Sequence, residues 1–260
     1  MPIRAILLLA LAALCPFVAE GAAGEPVRVA AAISLKDALN EVAAAFKAGG
    51  GGDVRFTFGS SGQLLAQIEY GAPLDAFISA AHAQVDALVA AKRADAAAVR
   101  VVAGNGLVLV VPADAKSPPT GFQDLADRKH RRVAVGEPKT VPAGQYATQM
   151  LRALKLDEAM KGRVVHGANV RQVLEYVERG EVDAGIVYAT DARESGGRVR
   201  VVATGEPDTH DPIEYPAVVL ANSPRRAGAE AFLDYLATRK ARDVFARRGF
   251  AAPTPRRPRE

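Results

Sequence analysis

The stretch Phe58-Gly59-Ser60-Ser61-Gly62-Gln63-Leu64 is a turn of small residues between an apolar segment and an amphipathic one. Ser60 and Gln63 have the spacing of a capping box, in which two side chains satisfy the first free N–H groups of a helix. The turn therefore predicts a strand end and a helix start, with Ser60 as the cap. Ser61 would then present its N–H and hydroxyl at the positive helix start, where an anion can bind. An ordinary capped helix without a ligand is the alternative interpretation.

The strand–turn–helix order of this stretch recurs along the first part of the chain. Residues 27–33 form an apolar run typical of a buried strand, and apolar residues at helical spacing follow Ser34. Further predicted elements are strands 54–58 and 74–79 and helices 62–70 and 82–91. The order predicts an α/β fold with a doubly wound, mainly parallel sheet flanked by helices. Ligands of such sheets bind at the carboxyl ends of the strands, so we expect Ser34 and Ser61 at one edge.

The same order restarts after the Asn105-Gly106 turn, which predicts a second lobe. Its predicted elements are strands 107–111, 132–135, 163–166 and 184–188 and helices 142–156 and 170–179. Strands 199–203 and 215–220 are expected to return the chain to the first lobe, where two helices after Ser223 close it. The predicted organisation is lobe I at 24–105 and 206–250, lobe II at 106–205, and a disordered tail at 251–260.

The N-terminus has the layout of a secretory signal peptide. A short basic start at 1–4 precedes an apolar run at 5–14, which is too short for a membrane span, and small residues that permit cleavage follow at 16–23. We therefore expect residues 1–23 to be removed and the mature protein to be periplasmic. Cys15, the single cysteine, would be lost with the signal peptide. A lipid anchor at Cys15 is the competing interpretation, and Leu14 before it makes a poor lipoprotein cleavage site.

Composition and charge argue against several classes of function. Hydrophobic residues make up 49% of the chain, which favours a globular protein. The formal charge of +4 includes three arginines in the Pro-rich tail, and the chain has no Trp, so a basic face or stacking platform for nucleic acid is not predicted. The four histidines have no metal-ligand spacing, so we expect no metal bound by protein side chains.

Several turns share the chemistry of the quoted stretch. Capping-box spacing recurs in Ser34 with Asp37 and in Asn169 with Gln172, and Pro142 is placed as a first-turn proline. Tyr188, at the end of a predicted strand, would add a hydroxyl. Arg171 falls one residue into its helix and is expected to face solvent. Neutral donors from two lobes predict a cleft that holds a small anion by hydrogen bonds and dipoles.

The ordered segments of this chain resemble the periplasmic molybdate-binding proteins of molybdate ABC transporters. The resemblance runs from about Val27 to Phe250. It is carried by Ala30-Ala-Ala-Ile-Ser-Leu-Lys-Asp-Ala-Leu39, Phe58-Gly-Ser-Ser-Gly62, Gly71-Ala-Pro-Leu-Asp-Ala-Phe-Ile-Ser-Ala80, Ala134-Val-Gly-Glu-Pro, Val141-Pro-Ala-Gly144, Asn169-Val-Arg-Gln and Val187-Tyr-Ala-Thr-Asp-Ala192.

The resemblance implies a two-lobed, type II periplasmic-binding-protein fold that closes over molybdate or tungstate. It also implies a monomer that has no cofactor or catalytic activity and delivers its ligand to a membrane permease and its ATPase. The oxyanion contacts it implies are the side chains of Ser34, Ser61 and Tyr188 and the backbone N–H groups of Ala143 and Val170. The sequence departs from the family pattern at Ile33, Glu137 and Thr140, beside the implied contacts.

Two alternatives remain open from the residues alone. A cleft of donors without an acidic acceptor favours a fully deprotonated oxyanion over hydrogen phosphate, but it does not separate molybdate from sulfate or thiosulfate. An exported hydrolase with Ser61 as nucleophile and His82 or His166 as base is the other alternative. The Gly59–Gly62 spacing does not match a hydrolase nucleophile elbow.

Overall fold

The structure is a computed structural model that describes residues 24–253. The predicted signal peptide and residues 254–260 of the predicted tail lie outside the described residues. Among the described residues, no helix has the length and apolar character needed to cross a membrane.

The described strands form two five-stranded sheets, which confirms the predicted two-lobed α/β fold. The first sheet has the order β2-β1-β3-β10-β4 and the second β7-β6-β8-β5-β9. The strands are β1 Val27–Ala32, β2 Val54–Gly59, β3 Ala76–Ile78, β4 Arg100–Gly104, β5 Leu107–Pro112, β6 Val133–Gly136, β7 Val164–Gly167, β8 Ala184–Tyr188, β9 Val199–Thr204 and β10 Glu214–Val219. We call the layers built on the first sheet lobe I and those on the second lobe II.

Helices cover the faces of both sheets. They are α1 Lys36–Ala48, α2 Ser61–Glu69, α3 His82–Ala90, α4 Pro142–Ala153, α5 Asp157–Met160, α6 Val170–Glu178, α7 Ala189–Glu194, α8 Arg226–Leu236 and α9 Arg239–Arg247. The apolar residues that predict these helices are the buried ones, such as Leu39 and Val42 of α1, at 0% exposure. Helices α4, α6 and α8 pack a hydrophobic stripe on the sheet beside them, whereas α9 packs on α1 and α8.

Each sheet is mainly parallel with one reversed strand. In lobe I, β1 pairs in parallel with β2 and β3, while β10 is antiparallel to both β3 and β4. In lobe II, β6 pairs in parallel with β7 and β8, while β5 is antiparallel to β8 and β9. The chain passes from lobe I to lobe II between β4 and β5 and returns between β9 and β10. The reversed strand of each lobe therefore directly follows a crossing.

Four details differ from the sequence prediction. The strand predicted at 199–203 does not return the chain to lobe I, because β9 pairs with β5 in the lobe II sheet. Strand β4, Arg100–Gly104, was not predicted, and its partner β10 lies more than a hundred residues away along the chain. The predicted helix 142–156 ends early, because Lys155 has a φ of 58°, in the left-handed region. The predicted disordered tail begins too early, because Ala251 exchanges two backbone hydrogen bonds with Gly104, at 2.9 and 3.0 Å.

Candidate functional site

The predicted site residues converge on one cavity between the two lobes. It lies at the carboxyl ends of β1 and β2 in lobe I and at the starts of α4 and α6 and the end of β8 in lobe II. Ser34, Ser61, Ala143, Val170 and Tyr188 all line it. The remaining lining residues are Ala32, Ile33, Gly59, Ser60, Ala80, Val141 and Pro142. The strand-end rule therefore placed residues from five separate strand ends around one cavity.

The cavity is small, and no charged side chain lines it. Its volume is about 10 Å³, the space of about one water-sized sphere. The five predicted residues are 0–4% exposed, so a solute can reach them only when the lobes separate. Every residue that lines the cavity has a neutral side chain. Any charge on a ligand would thus be met by hydrogen bonds and dipoles rather than by a counter-charge.

The two predicted serines are held by different contacts in lobe I. Ser61 is the first residue of α2, and its Oγ accepts a hydrogen bond from the N–H of Ala80 at 3.0 Å. Ser34 lies in the 3-10 turn between β1 and α1, and its Oγ is 3.1 Å from the Oη of Tyr215. Each hydroxyl is thus fixed by one protein contact at the cavity wall.

Tyr188 presents a buried hydroxyl without a partner. It is 1% exposed, and its Oη has no hydrogen-bond partner among the described residues. Burial raises the pKa of this phenol well above its usual value, so the group stays protonated and can donate. A buried donor without an acceptor is costly, which makes this hydroxyl the clearest sign of a ligand position.

Two lobe II helices, α4 and α6, begin at the cavity. Close packing at a glycine positions the start of α4, and a side-chain cap fixes the start of α6. A Cβ on Gly144 would overlap the carbonyl group of Gly136, so glycine allows α4 to begin against the end of β6. The N–H groups of Ala143 and Val170 lie in the first turns of their helices, where no intrahelical acceptor exists. Asn169 caps α6 as predicted, because its Oδ1 accepts the N–H of Gln172 at 3.0 Å.

Two of the predicted capping boxes are wrong. Ser60 occupies the N-cap position of α2, but its side chain makes no capping hydrogen bond and its buried Oγ has no described partner. Ser34 does not cap α1, whose N-cap residue is Leu35. Both serines lie where β-strands end in the cleft, and their backbone turns aim the side chains at the cavity wall instead of back at the helix.

Arg171 is not the solvent-facing residue that we expected. Its guanidinium group is 2.8 Å from Asp37 of lobe I and 2.7 Å from Asp191 of lobe II, with the side chains 22%, 34% and 0% exposed respectively. The Nε–H is not directed at Asp191, so this second contact is an ion pair without an aligned hydrogen bond. Burial raises the pKa of Asp191 to about 6, against the attraction of Arg171. Arg171 therefore joins the two lobes beside the cavity.

Neutral contacts also connect the lobes. The N–H of Gly62 in α2 donates to the carbonyl oxygen of Thr140 at 2.9 Å. The hydroxyl of Tyr146 in α4 approaches the carbonyl oxygen of Ala80 at 3.4 Å. Gly62 and Thr140 are thus part of the surface on which the lobes meet, and Gly62 has no side chain to hold them apart.

The two histidines considered as catalytic bases, His82 and His166, are not among the residues that line the cavity. His82 Nε2 lies 2.8 Å from Glu214, and His166 is half exposed beside Glu137, at 4.0 Å. Neither ring is hydrogen-bonded to Ser61, whose Oγ accepts from Ala80. Within residues 24–253, no group of three or more His, Cys, Asp or Glu side chains is placed to hold a metal ion.

Sequence reasoning missed several residues that shape the site. Asn105 and Tyr215 contact each other at 2.9 Å behind Ser34 although 110 positions separate them. The Asn105-Gly106 dipeptide predicts a turn, and Tyr215 lies in a predicted strand. Nothing in the sequence indicates that Asn105 and Tyr215 are hydrogen-bonded to each other. Ala80, whose N–H bonds to Ser61, carries no side-chain signal at all.

Two α/β lobes that close over a buried set of neutral hydrogen-bond donors define a solute-binding protein. The chain belongs to the bacterial extracellular solute-binding protein family, whose model matches residues 27–251. Members of this family bind solutes for transport.

Relatives of known name confirm the resemblance to molybdate-binding proteins. The molybdate-binding protein ModA of Escherichia coli (strain K12) is 40% identical over 233 residues, which cover 86% of this chain and 88% of that protein. ModA of Haemophilus influenzae is 38% identical over 238 residues, covering 89% and 92%. The periplasmic molybdate-binding protein of Azotobacter vinelandii superimposes with a TM-score of 0.78 at 25% identity, covering 88% of this chain and 100% of that chain.

The Arg171–Asp191 contact predicts a pH-dependent loss of stability in Arg171→Leu. The pKa of Asp191 in the folded protein, about 6, exceeds the ordinary value of 3.8. This carboxyl group therefore stabilises the fold fully below about pH 4 and progressively less as the pH rises through about 6. Without Arg171, the buried charge at pH 8 loses its counter-ion, which costs about 3 kcal/mol. At pH 5 Asp191 is protonated, so the loss should be smaller.

Urea unfolding at pH 5 and pH 8 measures this difference. Arg179→Leu is the matched control, because Arg179 is an exposed arginine at the end of the same helix, with its side chain 67% exposed. We expect a change of at most about 0.5 kcal/mol for this control at either pH. Equal losses for Arg171→Leu at the two pH values would contradict the role given to Asp191.

Proposed function

We propose that this protein is the exported solute-binding component of an ABC importer, and that it binds molybdate or tungstate between its lobes. The main support is the set of buried neutral donors from both lobes at one uncharged cavity, above all the unpartnered hydroxyl of Tyr188. Relatives named as molybdate-binding proteins at 38–40% identity support the choice of ligand.

The proposed ligand contacts are the five residues that the sequence predicted. Ser34 and Ser61 belong to lobe I, whereas Ala143, Val170 and Tyr188 belong to lobe II. A tetrahedral oxyanion offers four acceptor oxygens, so it can receive bonds from both lobes at once. Because the lining contains no carboxylate, nothing acidic accepts the proton that phosphate carries at neutral pH. The site chemistry therefore favours an oxyanion without protons.

Membership of the family supports a proposed cellular role. We propose that residues 1–23 direct export to the periplasm and that the mature protein is a monomer that delivers its ligand to a membrane permease and its ATPase. In the proposed organisation, 24–105 and 206–250 form lobe I and 106–205 form lobe II. Opening and closing would then take place about the two crossings between the sheets.

Isothermal titration calorimetry of the mature protein with molybdate, tungstate, sulfate and phosphate tests this function. We expect one site that binds molybdate and tungstate tightly, sulfate weakly and phosphate more weakly than sulfate, with a Kd that competition can still measure. A thermal-shift series should agree, because a hundredfold excess of ligand over Kd adds about 2.7 kcal/mol to the free energy of unfolding. Tight binding of sulfate with no response to molybdate would replace the proposed ligand by a smaller oxyanion.

Ser61→Ala should weaken molybdate binding by about 1.5–3 kcal/mol, the range for a hydrogen bond to a charged group. Ser117→Ala is the control, because Ser117 is exposed in a loop far along the chain from the cavity residues. Calorimetry gives the affinities, and circular dichroism shows that both variants are folded. A Ser61→Ala protein with the affinity of the parent would remove Ser61 from the proposed contacts.

Gly62→Ala should impair closure without unfolding either lobe. A Cβ at position 62 would lie 2.7 Å from both the Cα and the carbonyl oxygen of Thr140 in the opposite lobe. Relieving such overlap costs about 1–3 kcal/mol, which corresponds to a loss of about 5–150-fold in affinity. Within the helix itself, alanine is favoured over glycine by about 1 kcal/mol, so the open form should not lose stability.

Small-angle scattering with and without molybdate separates the two effects. The parent protein should become more compact with ligand, and Gly62→Ala should show less compaction at saturation. Gly121→Ala is the control, because a Cβ at Gly121 meets no atom within 4 Å and its φ of −164° is ordinary extended backbone. Full compaction and unchanged affinity in Gly62→Ala would show that the lobes do not need this contact.

A further inference from the structure

A chain of hydrogen bonds runs from the crossing between the lobes to Ser34. Asn105 lies between β4 and β5, where the chain passes from lobe I to lobe II. Its Nδ2 is 2.9 Å from the Oη of Tyr215, and that Oη is 3.1 Å from the Oγ of Ser34. Tyr215 is 0% exposed and Ser34 is 4% exposed, so water does not compete for these contacts.

The orientation of the Asn105 amide is fixed by its other partners. Its Oδ1 accepts the N–H of Gly106 at 2.9 Å, so the nitrogen points the other way. One N–H of Nδ2 donates to the Oγ1 of Thr190 in lobe II at 2.8 Å, and the other to Tyr215 in lobe I. An amide nitrogen can only donate. Tyr215 therefore receives a hydrogen bond from Asn105 and cannot return its own proton to it.

The direction of the Tyr215–Ser34 bond follows by elimination. Tyr215 Oη has two recorded partners, Asn105 and Ser34, and only Ser34 can accept its proton. Burial raises the pKa of Tyr215, so this proton is retained. Ser34 thus accepts from Tyr215, which leaves the proton of Ser34 free for the cavity.

We infer that Asn105 and Tyr215 are positioning residues that hold the Ser34 hydroxyl as a donor toward the ligand. This inference rests on the proposed function. A serine hydroxyl that is free to rotate can either donate to a ligand or accept from it. With one lone pair occupied by Tyr215, Ser34 is biased toward donation, and successive bonds polarise one another and strengthen the last. The chain Asn105–Tyr215–Ser34 therefore favours an oxyanion without a proton over one that carries a P–O–H group.

A double-mutant cycle between Tyr215→Phe and Ser34→Ala tests the inference. The phenylalanine keeps the ring that packs against Phe250 at 5.6 Å and Tyr188 at 6.1 Å. Tyr215→Phe should weaken molybdate binding about tenfold, roughly the loss of one hydrogen bond. In a Ser34→Ala background the same change should cost less than about twofold, because Tyr215 acts through Ser34. An equal loss in both backgrounds would overturn the inference.

Competition between phosphate and molybdate measures selectivity, which would not change if Tyr215 had only a structural role. In Tyr215→Phe, Ser34 becomes free to accept the proton of hydrogen phosphate. The ratio of the phosphate Kd to the molybdate Kd at pH 7 should therefore fall by about tenfold relative to the parent. A ratio no lower than that of the parent would overturn the selectivity role.

Two controls complete the experiment. Tyr235→Phe removes a phenol hydroxyl from α8, where the ring packs on Phe46 at 5.2 Å, and should leave molybdate affinity unchanged. If Tyr215→Phe does not fold, Asn105→Ala replaces it in the double-mutant cycle. This change removes the hydrogen bond that Asn105 donates to Tyr215, so the Tyr215 proton is no longer restricted to Ser34. A parent protein that does not bind molybdate refutes the proposed function. A parent that binds molybdate but gives an additive cycle refutes only this inference.

Discussion

Hydrogen-bond donors are buried between the lobes, and the groups that line the cavity do not provide acceptors for them. The arrangement of the two lobes depends on this lack of acceptors. The hydroxyl of Tyr188 and the first N–H groups of α4 and α6 are withdrawn from water with no carboxylate among the lining residues. Burying such groups is costly unless they are paired. When the lobes are apart, water can solvate the donors; when the lobes are together, an anion can. Under the proposed function, binding and closure are therefore one energetic event.

The neutrality of the cavity is maintained by placing the charges one layer outside it. Arg171 pairs with Asp37 and Asp191 at the junction of the lobes and is not among the residues that line the cavity. A guanidinium group inside the cavity would attract any anion of suitable size. In the proposed site, neutral donors in fixed positions instead make binding depend on the number and geometry of acceptor oxygens, which gives specificity.

The sequence carried enough information to locate the cavity, because its components are local. Apolar strands followed by small-residue turns placed Ser34 and Ser61 at one sheet edge, and the same rule placed Val170 and Tyr188. What could not be predicted involves partners distant in the chain, such as the pairing of β4 with β10 or of Asn105 with Tyr215. The direction of the Ser60 side chain could not be predicted either. The spacing of Ser60 and Gln63 fits a helix cap, but the same serine can equally line a cavity.

The position of β10 inside the first sheet has a consequence for how the chain folds. This strand lies between β3 and β4, so lobe I lacks a central strand until residue 219 is available. Lobe II, by contrast, takes all its strands from the continuous stretch between β5 and β9. Pairing distant segments is slow because a long loop must close first. Lobe II is therefore the unit that can fold early, while the unfinished lobe I sheet exposes the edges of β3 and β4 until the last part of the chain arrives.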